Sequence, residues 1–398
     1  MQPIRAEGRG PFLAICGVAF LAYFSYTLAR HPVLPLFAKS LGAAPEMIGL
    51  IAGISTVTGV FVKLPAGALS DIFGRRRLLL LGLAFFASVP FAYSLVSSPE
   101  QLLAVRFFHG FATAIFGPVA TATIASLSGG QRGEKIGWYS LADNSGRTFG
   151  PFMGGALLFL TANNYHLIYL IAGVLGAAAL LAGTRLSMED GAKGGSTEAV
   201  VEPWKKFTAG IREVTSSRDV VITSAMEAGQ YLAVGALFTF LPLYAVSVGL
   251  NTGQIGAIFL AQGIVTMLAR PYTGKFSDRS GRKRLIIGGM IVGAITLAII
   301  PLTSSFYVLM FLGALFGLAV AIVTPSTMAL VADLCRAERM GAAMGVFGTI
   351  WDIGEASGPI LAGVLIAWTA SYFKSFLLIS LLVLASALVF AVTVEEPG

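Results

Sequence analysis

The sequence predicts an all-α integral membrane protein in which twelve transmembrane helices form two pseudo-symmetric six-helix bundles. Three observations predict this fold class. The chain of 398 residues is 56% hydrophobic and 12% charged, about half the charge expected of a soluble domain. Its apolar runs are long enough to cross a hydrocarbon core of roughly 30 Å as helices. The second half of the chain also repeats motifs of the first half at a constant spacing.

The apolar runs predict twelve spans, at roughly 11–38, 46–69, 78–97, 101–127, 137–160, 167–186, 218–246, 253–276, 284–302, 306–334, 341–368 and 374–393. Outside these spans, nearly all Lys and Arg residues fall on one side of the membrane, and only Lys39 and Lys374 fall on the other. The positive-inside rule makes the basic side cytoplasmic and predicts that both termini lie there. The net charge of +7 is therefore a topology signal, and it gives no support to nucleic-acid binding.

The internal repeat is carried by three matched pairs, each separated by 207 residues: "LPLFAKSLG" (34–42) with "LPLYAVSVG" (241–249), "GALSDIFGRRRLLL" (67–80) with "GKFSDRSGRKRLII" (274–287), and Pro118 with Pro325. Such regular self-similarity predicts two halves of the same orientation, related by an axis along the membrane normal. We predict an N-terminal bundle over 1–186, a cytoplasmic connector over 187–217 and a C-terminal bundle over 218–398. The connector is polar with apolar residues at near-helical spacing, which predicts a short amphipathic helix on the membrane surface.

The turn after the second span, "GALSDIFGRRR", and its copy "GKFSDRSGRKR" carry a specific resemblance. Both resemble the loop signature G-x-L-x-D-x-x-G-R-[RK]-x of the major facilitator superfamily, and the likeness extends over nearly the whole chain. It implies an inner-face gate that latches the two halves in one state, although these residues could also only fix the topology. The gating residues implied are Gly67, Asp71, Gly74, Arg75, Arg76, Gly274, Asp278, Gly281, Arg282 and Lys283.

Two further segments resemble motifs of the twelve-helix drug:proton antiporters in that superfamily. "VRFFHGFATA" (105–114) resembles their fourth-helix motif, and the resemblance implies that Arg106 takes part in coupling proton movement. "GRTFGPFMGG" resembles their fifth-helix motif, which is typical of exporters; its helix-bending and close-packing residues are Gly146, Gly150, Pro151, Gly154 and Gly155.

Charged residues occur beside both Gly-Pro pairs of the repeat. When the two pairs are aligned, Asn144 corresponds to Asp352 and Arg147 corresponds to Glu355. A charged side chain costs at least about 2.5–3.5 kcal/mol at mid-span, so such residues normally face a cavity or one another. Two interpretations stay open: an Arg147–Glu355 ion pair that holds the halves together, or groups that bind substrate or carry a proton.

Other cations also lie at membrane depth. Arg30, with Tyr26 and Tyr23 one and two turns earlier, either lines the cavity or extends to the outer surface. The following His31-Pro32 pair predicts a disturbance of the first helix. Lys63 and Arg270 are equivalent in the repeat and precede the loop signatures, so we expect them to support the inner gate rather than to touch substrate.

Proton coupling needs a carboxyl group that can gain and lose a proton in the membrane. Desolvation favours the protonated carboxyl, and a nearby cation opposes protonation. Glu227 has no cation nearby in the sequence, whereas Asp143 is one turn from a cation. We therefore rank the candidates Glu227, Asp352, Glu355 and Asp143, in that order.

The sequence thus predicts a secondary active transporter: a proton-coupled antiporter that exports a small amphiphilic molecule by alternating access. The excess of cations at depth suggests an anionic group on the substrate. No G-x-x-x-x-G-K-[ST] phosphate loop is present, so an ion gradient must supply the work. Two alternatives stay open: a symporter or facilitator that takes up an organic anion on Arg30 and Arg147, and a lipid flippase.

The remaining expectations concern chemistry and location. We expect no enzymatic activity, since the sequence offers no nucleophile–base set at a membrane surface, and no cofactor or metal site. The expected partners are the small-molecule substrate, protons and the lipid bilayer. We expect a monomer that lies in a bacterial-type plasma (inner) membrane.

Overall fold

The computed structural model describes residues 6–127, 132–186, 215, 217–335 and 340–395. These residues form helices and no strand. The α-helices are α1 (Ala6–Leu28), α2 (Val33–Ser40), α3 (Pro45–Phe73), α4 (Arg75–Ala92), α5 (Pro99–Leu127), α6 (Arg132–Leu160), α7 (Tyr165–Thr184), α8 (Arg218–Ser247), α9 (Thr252–Ser280), α10 (Arg282–Ile299), α11 (Phe306–Leu334), α12 (Met340–Thr369) and α13 (Tyr372–Thr393). The predicted amphipathic helix of the connector lies outside the described residues.

Eleven of the described helical segments are long and apolar enough to cross a membrane, and one of them joins α1 and α2 into a single span, Gly10–Ser40. Helix α6 is not among the eleven, although its 29 residues equal the length of α3. Its polar and charged residues, including Asp143 and Arg147, lower its hydropathy. The first span is divided between Leu28 and Val33, as predicted from His31-Pro32, because proline has no backbone N–H to donate there.

The repeat is visible in the backbone of the turns. Gly74 joins α3 to α4 with φ 93°, and its counterpart Gly281 joins α9 to α10 with φ 90°. Gly42 and Gly249, which are also equivalent, have φ 83° and 92°. Only glycine adopts this left-handed region at little cost, which explains why both copies of each turn keep a glycine. We call the end of the molecule at Gly74 and Gly281 the basic face, and the other end the opposite face.

The two halves meet at the opposite face through two equivalent helix crossings, α6 with α9 and α3 with α12. At the first crossing, a Cβ at Gly155 would lie 2.5 Å from the Thr252 carbonyl oxygen. At the second, a Cβ on Gly363, the counterpart of Gly155, would meet the Pro45 carbonyl oxygen. These backbones approach closely because no side chain separates them.

The hydrophobic core shows which end is closed. One buried cluster contains residues of both halves, among them Phe37, Leu158, Phe240 and Phe259. Two other clusters lie toward the basic face, and each stays within one half, around Phe116 in the first half and within 220–347 in the second. The halves are therefore packed together at the opposite face and separated at the basic face.

Candidate transport cavity

A cavity of about 1040 Å³ lies between the two halves. Helices α1, α3 and α6 of the first half and α8, α9 and α12 of the second supply most of its wall. Its lining extends toward the basic face along Gly137 of α6 and Met344 of α12, which lie near the basic ends of those helices. The wall combines aromatic rings with seven charged side chains: Arg30, Lys63, Asp143, Arg147, Arg270, Asp352 and Glu355.

Most of the predicted cavity residues line this space directly: Arg30, Asn144, Arg147, Asp352 and Glu355. Tyr23 and Tyr26 instead line a smaller adjoining pocket of about 310 Å³, and both are almost fully buried. The Arg147 guanidinium carbon lies 3.8 Å from the centre of the Tyr23 ring, a cation–π contact. The two tyrosines therefore pack against Arg30 and Arg147 on the side away from the main cavity.

The Arg147–Glu355 ion pair, one of the two interpretations that the sequence left open, does not form in this structure. Glu355 Oε1 accepts a hydrogen bond from Arg30 Nη2 at 2.9 Å, and Arg147 Nε donates to Asp143 Oδ1 at 2.5 Å. Asp143 lies one turn before Arg147 on the same helix, so that pair forms locally. Arg30 follows the end of α1 and so extends across to the second half.

Lys63 also differs from its prediction. It lines the cavity, and its Nζ lies 2.5 Å from Asp352 Oδ2. Arg270, its counterpart in the repeat, lines the cavity as well. Both cations therefore belong to the cavity wall rather than only to the inner gate, and two ion pairs, Arg30–Glu355 and Lys63–Asp352, connect the halves there.

Substituting Arg30 and Glu355 by glutamine, singly and together, should give non-additive losses of stability. The two side chains are 16% and 24% exposed, so their attraction is only partly screened by water. We expect a coupling of about 1 kcal/mol, within the range measured for contacting residues. The measurement is the free energy of unfolding in mixed detergent micelles.

The matched control is the same cycle for Arg147→Gln with Glu355→Gln. Because the Arg147 guanidinium is bonded to Asp143 and Glu355 is bonded to Arg30, that cycle should show a clearly smaller coupling than the Arg30 cycle. Additive losses in the Arg30 cycle, or equal coupling in both cycles, would contradict the pairing described above.

Glu227 lies behind the cavity wall, in the core of the second half. Its side chain is fully buried, and neither carboxyl oxygen has a hydrogen-bond partner among the described residues. The side chains of Thr324 and Thr327 on α11 lie beside it. Tyr231, one turn further along α8, lines the cavity, and its hydroxyl lies 3.4 Å from Thr324 Oγ1. The hydroxyl groups of Thr324 and Tyr231 therefore form a short polar connection between the Glu227 carboxyl and the cavity.

Arg106, in α5 of the first half, does not line the cavity. It is 1% exposed, and its Nη2 donates to Ser55 Oγ at 2.5 Å and to Tyr26 Oη at 3.4 Å. One turn away, His109 Nδ1 is hydrogen-bonded to Tyr93 Oη at 3.0 Å. The buried arginine thus joins a polar network whose Tyr26 and Ser55 line the smaller adjoining pocket.

The gating residues at the basic face make contacts inside their own halves. Arg76 donates to the Thr184 carbonyl at 3.0 Å, Arg282 lies 3.0 Å from Asp333, and Lys283 donates to the Val394 carbonyl at 2.6 Å. The side chain of Asp71 lies outside the described residues. The basic face is open in this conformation. A latch between the halves therefore stays a prediction for the conformation in which the basic face is closed.

The fifth-helix motif separates into two packing surfaces. Gly146, Gly150 and Gly154 face α1, where a Cβ on Gly154 would lie 2.6 Å from the Leu28 carbonyl oxygen. Gly155 faces α9 of the other half, and Pro151 lines the cavity. The motif therefore holds α6 against its own half and closes the opposite face at the same time.

Sequence reasoning missed four aromatic residues of the wall, Tyr231, Phe238, Phe259 and Trp351, of which Tyr231 and Trp351 pack against each other. The ring centres of this pair are 4.2 Å apart. Aromatic residues are common on lipid-facing surfaces, so composition gave no reason to choose them. The position of Trp351 directly before Asp352 was the available signal. Among the described residues, no group of three or more His, Cys, Asp or Glu side chains could hold a metal ion.

Comparison with known proteins agrees with this architecture. A model of the Major Facilitator Superfamily matches residues 15–252 and 224–398. An uncharacterized MFS-type transporter of Methanocaldococcus jannaschii is 27% identical over 89% of this chain and 88% of its own length. The quinolone resistance protein NorA of Staphylococcus aureus is 23% identical over 84% of each chain.

Solved structures with the same fold include the nucleoside transporter NupG, with a TM-score of 0.78 at 16% identity over 96% of this chain and 98% of that one. A bacterial homolog of the human lysosomal transporter Spinster, in an inward-facing and unoccupied conformation, gives a TM-score of 0.77 at 15% identity, over 98% and 96% of the two chains. The duplicated bundles, the cavity between them and the family match together assign this chain to the Major Facilitator Superfamily, as a membrane transporter and not an enzyme.

Proposed function

We propose that this protein is a proton-coupled antiporter that exports a small amphiphilic molecule by alternating access. The cavity supports the proposal, since it offers aromatic and charged surfaces to one solute and is open at one face only. The fifth-helix motif, which resembles that of exporters, supports the direction. The similarity to a quinolone resistance protein points the same way.

We further propose that the basic face is cytoplasmic, in a bacterial-type plasma membrane, with both termini on that side. The bundles 1–186 and 218–398 would then move as two units about the cavity, with 187–217 as their connector. We also propose that the functional unit is a monomer.

The observation that carries the proposal is the environment of Glu227. An ionised carboxylate without a hydrogen bond or ion pair would be very costly inside a membrane protein. We infer that Glu227 holds a proton in this conformation, because it is fully buried and forms no ion pair among the described residues. Asp143, Asp352 and Glu355 each have a cation within 2.9 Å and are therefore already engaged in ion pairs. Glu227 is thus the carboxyl best suited to carry the coupled proton.

The route of that proton follows from the same geometry. When the cavity is open, the Tyr231 and Thr324 hydroxyls lie between the Glu227 carboxyl and solvent in the cavity. Release of the proton leaves a buried charge, which is stabilised if water enters or if Arg270 turns toward it. Exchange then requires that the halves change conformation with either the proton or the substrate bound, but not with both.

One observation favours a second candidate function, co-transport of an organic anion with a proton. Arg270 lies close enough to Glu227 to act on its charge, and it faces the cavity. An anion bound at Arg270 and a proton held on Glu227 stabilise each other electrostatically. Substrate and proton would then be carried in the same direction.

Flux in proteoliposomes distinguishes the two candidates. Liposomes that enclose a pH-sensitive dye would receive amphiphiles of matched size carrying a positive, a negative or no charge. Proton movement opposite to that of the compound supports antiport, and movement in the same direction supports the second candidate. Transport of a compound with no proton movement would contradict proton coupling and leave a facilitator.

A further inference from the structure

We propose that Arg270 and the Tyr231–Trp351 ring pair form a subsite for a planar aromatic carboxylate, with the acid group on Arg270 and the ring on the aromatic pair. We call these three residues the anion subsite. The inference rests on the proposed function only in taking the cavity as the place where the solute binds. It holds for either direction of coupling.

Arg270 is the charged residue of the cavity wall without an ion pair among the described residues. The other six form three pairs, Arg30–Glu355, Lys63–Asp352 and Arg147–Asp143. Arg270 Nε is buried without a hydrogen-bond partner in the described part of the chain. A guanidinium that faces a cavity without an acceptor is suited to a bidentate bond with a carboxylate.

The internal repeat explains why Arg270 has no acidic partner. Lys63 and Arg270 are equivalent, and the partner of Lys63 is Asp352. The counterpart of Asp352 in the first half is Asn144, whose Nδ2 donates to the Ser140 carbonyl at 2.7 Å. On one side of the cavity the repeat thus has the Lys63–Asp352 ion pair. On the other side, the position that corresponds to the Asp352 carboxylate holds the Asn144 amide. The missing negative charge is available to be supplied by the ligand.

The aromatic pair provides the second part of the subsite. The rings of Tyr231 and Trp351 are inclined by 34° with centres 4.2 Å apart, and both residues line the cavity. Trp351 Nε1 has no hydrogen-bond partner among the described residues. Arg270 and both rings line the same cavity and all belong to the second half, so the cation and the rings share one wall. Such a surface can stack against a planar ring whose acid group reaches the guanidinium.

Equilibrium binding of two probes to the detergent-purified full chain tests the subsite. The probes are 2-naphthoate and its neutral analogue 2-naphthamide, followed by calorimetric titration. We expect naphthoate to bind at least about tenfold more tightly than naphthamide, because a charged hydrogen bond adds to the stacking that both probes share. Arg270→Gln should abolish that difference.

Two further variants make the test specific. Lys275→Gln removes an exposed cation from the same helix and should leave the preference for naphthoate unchanged. Asn144→Asp supplies the carboxylate that the repeat lacks, so it should weaken naphthoate about tenfold without affecting naphthamide. In the Arg270→Gln background, Asn144→Asp should have no further effect.

Equal affinities for the two probes, absence of saturable naphthoate binding, or a preference that survives Arg270→Gln would overturn the proposal. The assay contains no membrane and no proton gradient. A failure of proton coupling in proteoliposomes therefore leaves the anion subsite intact, and a failure here leaves the proton-coupled transport proposal untouched.

Discussion

Replacing Glu227 with glutamine should abolish substrate-driven proton movement while leaving exchange of the substrate itself intact. The amide has nearly the shape of a protonated carboxyl group but releases no proton. Glu227 is fully buried and without an ion pair among the described residues, so a neutral replacement introduces no unpaired charge. The assay measures two rates in the same proteoliposomes: proton flux driven by the compound, and exchange of labelled against unlabelled compound with no pH difference.

Asp219→Asn is the matched control, because Asp219 lies at the basic end of the same helix, two turns before Glu227. We expect it to retain both rates. We also expect Glu227→Gln to change the free energy of unfolding by less than about 1 kcal/mol, since a neutral group replaces a neutral group. Proton flux at the wild-type rate in Glu227→Gln would rule out Glu227 as the carrier.

The fold could be predicted because its causes are local and repeated in the sequence. Span lengths, the side on which cations lie and the 207-residue repeat all depend on composition and spacing. The turns at Gly74 and Gly281 could be predicted from the matching positions of these glycines in the two copies of the repeat. What the sequence underestimated was α6, where the predicted span begins at 137 but the helix begins at Arg132. Charged residues at that end lie in the helix although they are too polar for the hydrocarbon core.

The site was only partly predictable, because the choice among ion-pair partners is made by tertiary structure. The sequence indicated which side chains lie at depth, and Arg30, Arg147 and Glu355 do line one cavity. It could not indicate that Asp143 would bind Arg147 within α6, leaving Glu355 to Arg30. The break between α1 and α2 decides this outcome, since it directs Arg30 toward the second half.

The location of Lys63 and Arg270 illustrates a second limit. Their position in the chain, before the basic turns, suggested a gate. In the structure the basic face is open, and both side chains extend into the cavity wall. Their equivalence was visible in the sequence, as was that of Asn144 and Asp352. Only the Lys63–Asp352 contact shows that these four residues belong to one repeated arrangement. Lys63 and Asp352 form an ion pair on one side of the cavity, and their counterparts Arg270 and Asn144 lack that ion pair on the other side.

Introducing a methyl group at Gly155 should open the opposite face of the transporter. A Cβ there would lie 2.5 Å from the Thr252 carbonyl oxygen and 2.8 Å from Gly256 Cα. Both are backbone atoms of the other half, so relief requires that α6 and α9 separate. Overpacking of this kind costs about 1–3 kcal/mol, which shifts the equilibrium between closed and open states by about fivefold or more.

The measurement is the distance between two spin labels at the opposite face, attached to cysteines at Lys39 and Lys374. Both lysines are exposed, and each belongs to a different half. The native Cys16 and Cys335 are free and would be replaced by serine beforehand. We expect Gly155→Ala to add a longer distance that is minor or absent in the parent protein.

Gly154→Ala makes this prediction specific, because the neighbouring glycine meets an equally close backbone atom in its own half. A Cβ there would lie 2.6 Å from the Leu28 carbonyl oxygen. The variant should lower the free energy of unfolding by a similar amount and leave the label distances unchanged. Gly137→Ala, on the same helix with nothing within 4 Å of its Cβ, should change neither quantity. Opening by Gly154→Ala as large as that by Gly155→Ala would show that general destabilisation, rather than the crossing of α6 with α9, controls the gate.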